Sequence, residues 1–149
     1  MKIIVFSDVH GATHNLQKLS PLIEQSGMTF FLGDGLAALE TLNKKSAAKI
    51  LVVRGNCDLF CPLPTEQIIE TNGKKILVTH GHRYSVKSGY KHLAARVDET
   101  GVDLALCGHT HRYYHNGKIL NVPALKDGAY IELCSMSLSH KLCSVFAGE

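Results

Sequence analysis

Five short apolar runs in this 149-residue chain each stop at a glycine-flanked cluster of polar side chains able to bind metal. "KIIVFSDVHG" ends at Asp8 and His10, "MTFFLGDG" at Asp34, and "KILVVRGNCD" at Asn56 and Asp58. "KKILVTHGH" ends at His80 and His82, and "VDLALCGHTH" at His109 and His111. Brief apolar runs bounded by glycine and polar residues read as buried strands. In open α/β sheets, the loops beyond the carboxyl ends of such strands converge and collect ligands. The repetition therefore restricts the chain to a layered α/β fold whose loops meet at one site.

The segments between the runs support this reading. Leu16, Leu19, Leu22 and Ile23 recur at helical spacing. Pro21 predicts that this helix is broken or starts late, because proline is tolerated only in a first turn. "LAALETLNKK" predicts a second helix, and the first half then reads strand, helix, strand, helix, strand, the signature of a parallel sheet covered by helices. In the second half, "EQIIET" and "KKILVTHG" flank Asn72-Gly73, a hairpin turn. Val86, Tyr90, Leu93 and Val97 predict one more amphipathic helix. Short strands follow in "RYYH", "KILNV", "AYIELC" and "KLCSVF", with turns at Asn116-Gly117 and Asp127-Gly128. This predicts a second sheet packed on the first, with helices on the outer faces. Without repeats, low-complexity stretches or a linker, residues 1–149 read as a single domain.

Composition removes several function classes. Hydrophobic residues make up 45% and charged residues 19%, an ordinary globular balance. A net charge of +3 without a run of Lys and Arg predicts no nucleic-acid groove. Lys44, Lys45 and Lys49, like Lys74 and Lys75, read as solvated flanks of strands. No apolar stretch approaches the roughly 18 residues of a membrane span. The opening segment is too short and too quickly polar for a signal peptide. Five cysteines in no framework spacing predict reduced thiols and a cytoplasmic protein. Cys57 and Cys61 lack the second pair that a thiolate zinc site needs.

Five of the nine histidines (His10, His80, His82, His109 and His111) fall in the five loops. His14, His92, His115 and His140 read as surface or helix residues. One histidine after a strand is ordinarily a hydrogen-bonded loop residue, but polar clusters at five equivalent ends point to a metal. Gly33, Gly35, Gly55, Gly81 and Gly108 beside them let the backbone take positive φ or approach a bound group. Imidazole, carboxylate and amide donors suit manganese, iron, zinc or nickel. They are too many for one ion, and two ions about 3.5–4 Å apart, bridged by a carboxylate, would use them all. Asp34, alone in its loop as an acid, is the natural bridge.

In order, "SDVHG", "LGDG", "GNCD", "THGH" and "GHTH" resemble the motif blocks of the calcineurin-like metallophosphoesterases, above all the branch of small YfcE-type phosphodiesterases. The resemblance runs from Asp8 to His111. It implies a four-layer αββα sandwich of two mixed β-sheets flanked by helices. It also implies that Asp8, His10 and His111 hold one divalent ion, that Asn56, His80 and His109 hold a second, and that Asp34 is shared. Manganese is the first expectation, with nickel, zinc or iron as alternatives. The implied reaction is phosphodiester hydrolysis by a hydroxide held between the ions, in which the protein supplies positioning and charge stabilisation. The expected catalytic set is Asp34, Asn56, His80, Cys57, Asp58 and His82. His82 is expected behind the ligands or facing substrate, and Asp58 to orient its neighbours by hydrogen bonds. The substrate class is a phosphodiester-type small molecule or a nucleotide, and a homodimer is left open.

The chain departs from the pattern at two places. Many relatives carry histidine where this chain has Cys57, a weaker hydrogen-bond donor that titrates near about 8.5. "NVPALKDG" stands where relatives carry an "NPGS"-like block, which alters contacts on the phosphate side. The chain is short for the family, leaving little material for a substrate-selecting cap. Two alternative readings remain. One is a non-catalytic scaffold of this fold, as in the cargo-sorting retromer complex; the other is a phosphomonoesterase or protein phosphatase.

Overall fold

Among residues 1–147, which the computed structural model describes, ten strands form two five-stranded sheets. In the first sheet, β1 (Lys2–Phe6), β2 (Met28–Phe31) and β3 (Ile50–Val52) run parallel. β9 (Ala129–Cys134) adds antiparallel to β1, and β10 (His140–Ser144) antiparallel to β9. The second sheet begins with a hairpin of β4 (Glu66–Thr71) and β5 (Lys74–Thr79). Asn72 and Gly73 both take positive φ there, as a two-residue turn matched to strand twist requires. β6 (Leu104–Cys107) and β8 (Ile119–Asn121) continue it in parallel, and β7 (Tyr114–His115) closes it antiparallel to β8. Both sheets are mixed, as the motif resemblance implies.

The inner strands β1, β2, β5 and β6 read as largely apolar runs because both of their faces are covered. Ile3 and Val5 of β1 point inward and meet Ile76, Val78, Leu104 and Leu106 of the other sheet. Ile4 and Phe6 alternate to the outer face and pack on Leu16, Leu19 and Ile23 of α1 (Thr13–Gln25). Phe6 stacks on Phe31 with ring centroids 4.7 Å apart. On the far side, Leu77 and Ala105 carry Leu93 and Val97 of α3 (Lys91–Thr100). Each such fully buried Leu or Phe contributes about 1.5–3 kcal/mol. The layers thus run helix, sheet, sheet, helix.

Three helix expectations need correction. α1 runs unbroken through Pro21 and starts at Thr13. Pro21 and Gln17, whose carbonyl loses its donor, both lie on the exposed face, where water replaces the missing bond. "LAALETLNKK" is not one helix but a 3₁₀ segment, Leu36–Thr41, followed by α2 (Lys44–Ala47). Asn43 separates the two, its side chain accepting the Ser46 N–H at 2.8 Å as a new N-cap. The helix predicted from Val86 begins only after Tyr90, because Gly89 takes φ +123° and ψ 176°. No described helix is long and apolar enough to cross a membrane.

The carboxyl ends of β1, β2 and β3 in one sheet, and of β5 and β6 in the other, carry the five polar clusters. The seam between the sheets therefore opens at one end onto all of them.

Candidate metal centre

The loops at this seam are tied to one another through their backbones. Asp8 N–H donates to Gly33 O at 2.9 Å, Val9 N–H to Asp34 O at 2.9 Å, and Gly108 N–H to His80 O at 2.9 Å. Asp8, His10, Asp34, His109 and His111 all have φ between 44° and 71°. They are five of the nine non-glycine residues with positive φ among the described residues. Each such residue carries a conformational cost, and their concentration at one place marks a functional loop cluster.

Two buried carboxylates are held in the same manner. Asp8 Oδ2 accepts the Ser7 hydroxyl at 2.6 Å and the His109 N–H at 3.0 Å. Its Oδ1 is left facing His111 Nε2 at 3.2 Å, His10 Nε2 at 3.3 Å and His80 Nε2 at 3.8 Å. Asp34 Oδ1 accepts the Cys57 N–H at 2.8 Å. Its Oδ2 is left 3.2 Å from His80 Nε2 and 3.7 Å from His10 Nε2. One oxygen of each acid is thus anchored by protein donors, and the other is directed into the imidazole cluster.

His80 is fully buried, and its Nδ1 lies 2.7 Å from Leu32 O. A carbonyl can only accept, so Nδ1 carries the proton and a neutral His80 presents a bare lone pair at Nε2. That lone pair meets Asp34 Oδ2 and, at 3.2 Å, His109 Nδ1. A proton on His80 or a cation between these atoms would satisfy them, and the pocket favours positive charge in either case. Donors sharing one ion at about 2.0–2.2 Å lie about 3.0–3.5 Å apart, close to the spacings here. Asp8, His10 and His111 form one three-donor group, and Asp34, His80 and His109 a second, each with ligand atoms within 4.8 Å. The residues present fit a divalent metal centre.

Electrostatics agree. Burial alone would pull His80 down, but the hydrogen bond to Asp34 and the charges of Asp8 and Asp34 raise it, so the pocket favours positive charge. Burial, reinforced by the charges of His80 and Lys87, pushes His109 down to about 4 and keeps its nitrogen unprotonated. Burial alone would raise the Asp34 carboxyl; His80 and the Cys57 N–H instead hold it well below the usual range.

The remaining expected residues sit around this cluster. Asp58 lies behind it, accepting N–H groups from Asp34 at 2.8 Å, Gly55 at 2.7 Å, Gly35 at 3.0 Å and Leu36 at 3.2 Å. Cys57 Sγ forms a third group with His10 and Asp34, again within 4.8 Å. Burial and then the charge of Asp34 raise its thiol. The His82 ring packs 5.5 Å from His80 and 6.3 Å from His109, with Nδ1 buried and unpartnered among the described residues. Asn56 is exposed, its Nδ2 3.6 Å from Cys57 Sγ.

Two supports were missing from the sequence reading. Ser7, a buried polar residue at the end of β1, fixes the Asp8 carboxylate. The altered "NVPALKDG" segment buttresses the same loop: Leu125 N–H donates to Ser7 O at 2.8 Å and Lys126 N–H to Asp8 O at 3.1 Å. Ser7 could have been noticed as a hydroxyl inside an otherwise apolar run. The backbone role of Leu125 and Lys126 leaves no side-chain signal.

The family model described as "Calcineurin-like phosphoesterase superfamily domain" matches residues 1–123. The chain is 32% identical over 111 residues to the probable metallophosphoesterase YsnB of Bacillus subtilis, a match covering 74% of this chain and 64% of that protein. It is 30% identical over 137 residues to the phosphodiesterase YfcE of Escherichia coli, covering 74% and 70%. A solved structure of a predicted phosphoesterase from Streptococcus pneumoniae shares the fold, with TM-score 0.77 and 23% identity over 99% of this chain and 93% of that one.

Proposed function

The chain belongs to the calcineurin-like phosphoesterase superfamily, and from that premise we propose that it is a metal-dependent phosphodiesterase. The observation that carries this reading is the pairing of two three-donor groups across one seam, with an unanchored oxygen of Asp8 in one and of Asp34 in the other. Asp8, His10 and His111 would hold one divalent ion, His80, His109 and Asn56 a second, and Asp34 would lie between them. Manganese suits these nitrogen and oxygen donors, as do nickel, zinc and iron. Bound divalent ions at such a site lower the pKa of a water and offset charge on phosphoryl oxygens.

The chain's own residues supply positioning. Leu32 O fixes the His80 tautomer, so Nε2 always faces the centre. Asp58 locks the loops after β2 and β3 to each other, and Ser7 prevents rotation of the Asp8 carboxylate. Ser7→Ala is accordingly expected to weaken ion binding about 10- to 100-fold, read by competition with a chromophoric chelator. The five free thiols suit a reducing compartment such as the cytoplasm.

Cys57 bears on the type of ester. A thiol is only a weak hydrogen-bond donor and gives a leaving oxygen little help, so esters with good leaving groups are favoured, diesters over alkyl monoesters. Cys57→His is expected to raise hydrolysis of phosphomonoesters relative to diesters. If no monoester gains, Cys57 does not set the preference.

The direct test is turnover of bis-p-nitrophenyl phosphate by chelator-treated protein reloaded with manganese, nickel, zinc or iron, alongside measured metal content. Activity restored by at least one ion supports the proposal. Full occupancy without turnover favours the scaffold reading.

A further inference from the structure

A groove of about 600 Å³ adjoins the candidate centre and shares His10 and Cys57 with it. Leu36, Ala37, Leu59 and Phe60 contribute to its lining. The volume lies within the ordinary range of small-molecule sites, about 300–1,000 Å³. Leu59 is 73% exposed and Phe60 completely so. Phe60 also takes φ +59°, a left-handed conformation that is a genuine outlier for so bulky a residue. The fold therefore holds an aromatic ring in water, at a backbone cost, with no burial to offset it. Such strain is found where a ligand or function uses the displayed group.

Charge narrows what the groove accepts. Among the described residues no Lys or Arg lines it, and the acidic ones that do are Glu40 and Asp58. Asp58 has both carboxylate oxygens engaged by backbone N–H groups, which leaves Glu40 as the acid facing any occupant. A second phosphate placed here would meet a carboxylate and no cation. An apolar ring would meet Leu36, Leu59 and Phe60.

We propose that this groove is a substrate subsite for an aromatic or similarly apolar group esterified to the phosphorus, with Leu59 and Phe60 as its specificity-determining residues. The inference rests on the phosphodiesterase reading for the position of the phosphorus, and it disfavours substrates carrying a further free phosphate.

The test separates binding from turnover. Phenylphosphonate and methylphosphonate present the same anion with and without a ring, and neither is hydrolysed. Their affinities for the manganese-loaded protein are measured by calorimetry. The wild-type chain is expected to prefer the phenyl compound by about tenfold or more. Phe60→Ala and Leu59→Ala should each reduce that ratio about three- to tenfold, whereas Phe60→Trp, which keeps a ring, should retain it. Ile68→Ala, which removes an exposed apolar residue on β4, should leave the ratio unchanged. Equal affinities in the wild type, undetectable phenylphosphonate binding, or a ratio unmoved by both alanine variants would overturn the proposal. A preserved ratio without turnover of any diester would instead remove the phosphodiesterase reading and leave an apolar anion-binding groove.

Discussion

Asp34→Asn is expected to lower phosphodiester turnover by more than about a hundredfold, beyond the roughly 10- to 100-fold that losing even a partner behind the ligands costs. The substitution is nearly isosteric. An asparagine oxygen can still accept the Cys57 N–H now made to Oδ1, so the loop should keep its shape. The change falls on Oδ2, which lies 3.2 Å from His80 Nε2 and 3.7 Å from His10 Nε2 and so joins the two donor groups. Replacing that anionic oxygen by an amide removes the charge that would hold ions on both sides. Metal content should fall in the purified variant, measured by elemental analysis, while its circular dichroism stays that of the wild type. Unaltered activity and metal content would show that Asp34 is not the bridge.

Asp58→Asn should be the most destabilising of the conservative changes at the site. The carboxylate takes four backbone N–H groups, two on each oxygen, from the loops after β2 and β3. Hydrogen bonds to a charged group contribute about 1.5–3 kcal/mol each. The asparagine oxygen can keep two of them, while its NH₂ is turned against two buried N–H donors. The expected loss is about 3–5 kcal/mol, or roughly 10–15 °C in Tm for a chain of this size. Activity should fall with stability, because Asp34 and Asn56 sit on the loops that Asp58 joins. A shift in Tm under about 2 °C would mean those N–H groups find water instead.

The sandwich and the donor-bearing loops were legible because they rest on local pattern. Strands covered on both faces must be apolar throughout, so the residues where polarity begins, Asp8, Asp34, His80 and His109, mark the strand ends directly. The hairpin at Asn72-Gly73 was legible for a similar reason, since few residue pairs accept positive φ twice. What escaped the sequence depends on which surface faces water and which backbone meets which. Pro21 is harmless in α1 only because that turn is exposed. The break at Asn43 arises from a side chain that caps the following turn rather than continuing the preceding one. The groove beside Phe60 is assembled from the segments after β1, β2 and β3, and no stretch of one predicts the others.

The candidate ligands come from both sheets: Asp8, His10, Asp34 and Asn56 from one, His80, His109 and His111 from the other. Asp8 and the His109 amide it accepts are 101 residues apart. No fragment containing only one sheet possesses either complete donor group. During synthesis neither of these two groups can be completed until the chain beyond β6, which carries His109 and His111, has emerged and docked. The same wide sequence separation means that loss of either half would dismantle both groups together, so affinity for an ion and integrity of the sandwich are expected to fall as one.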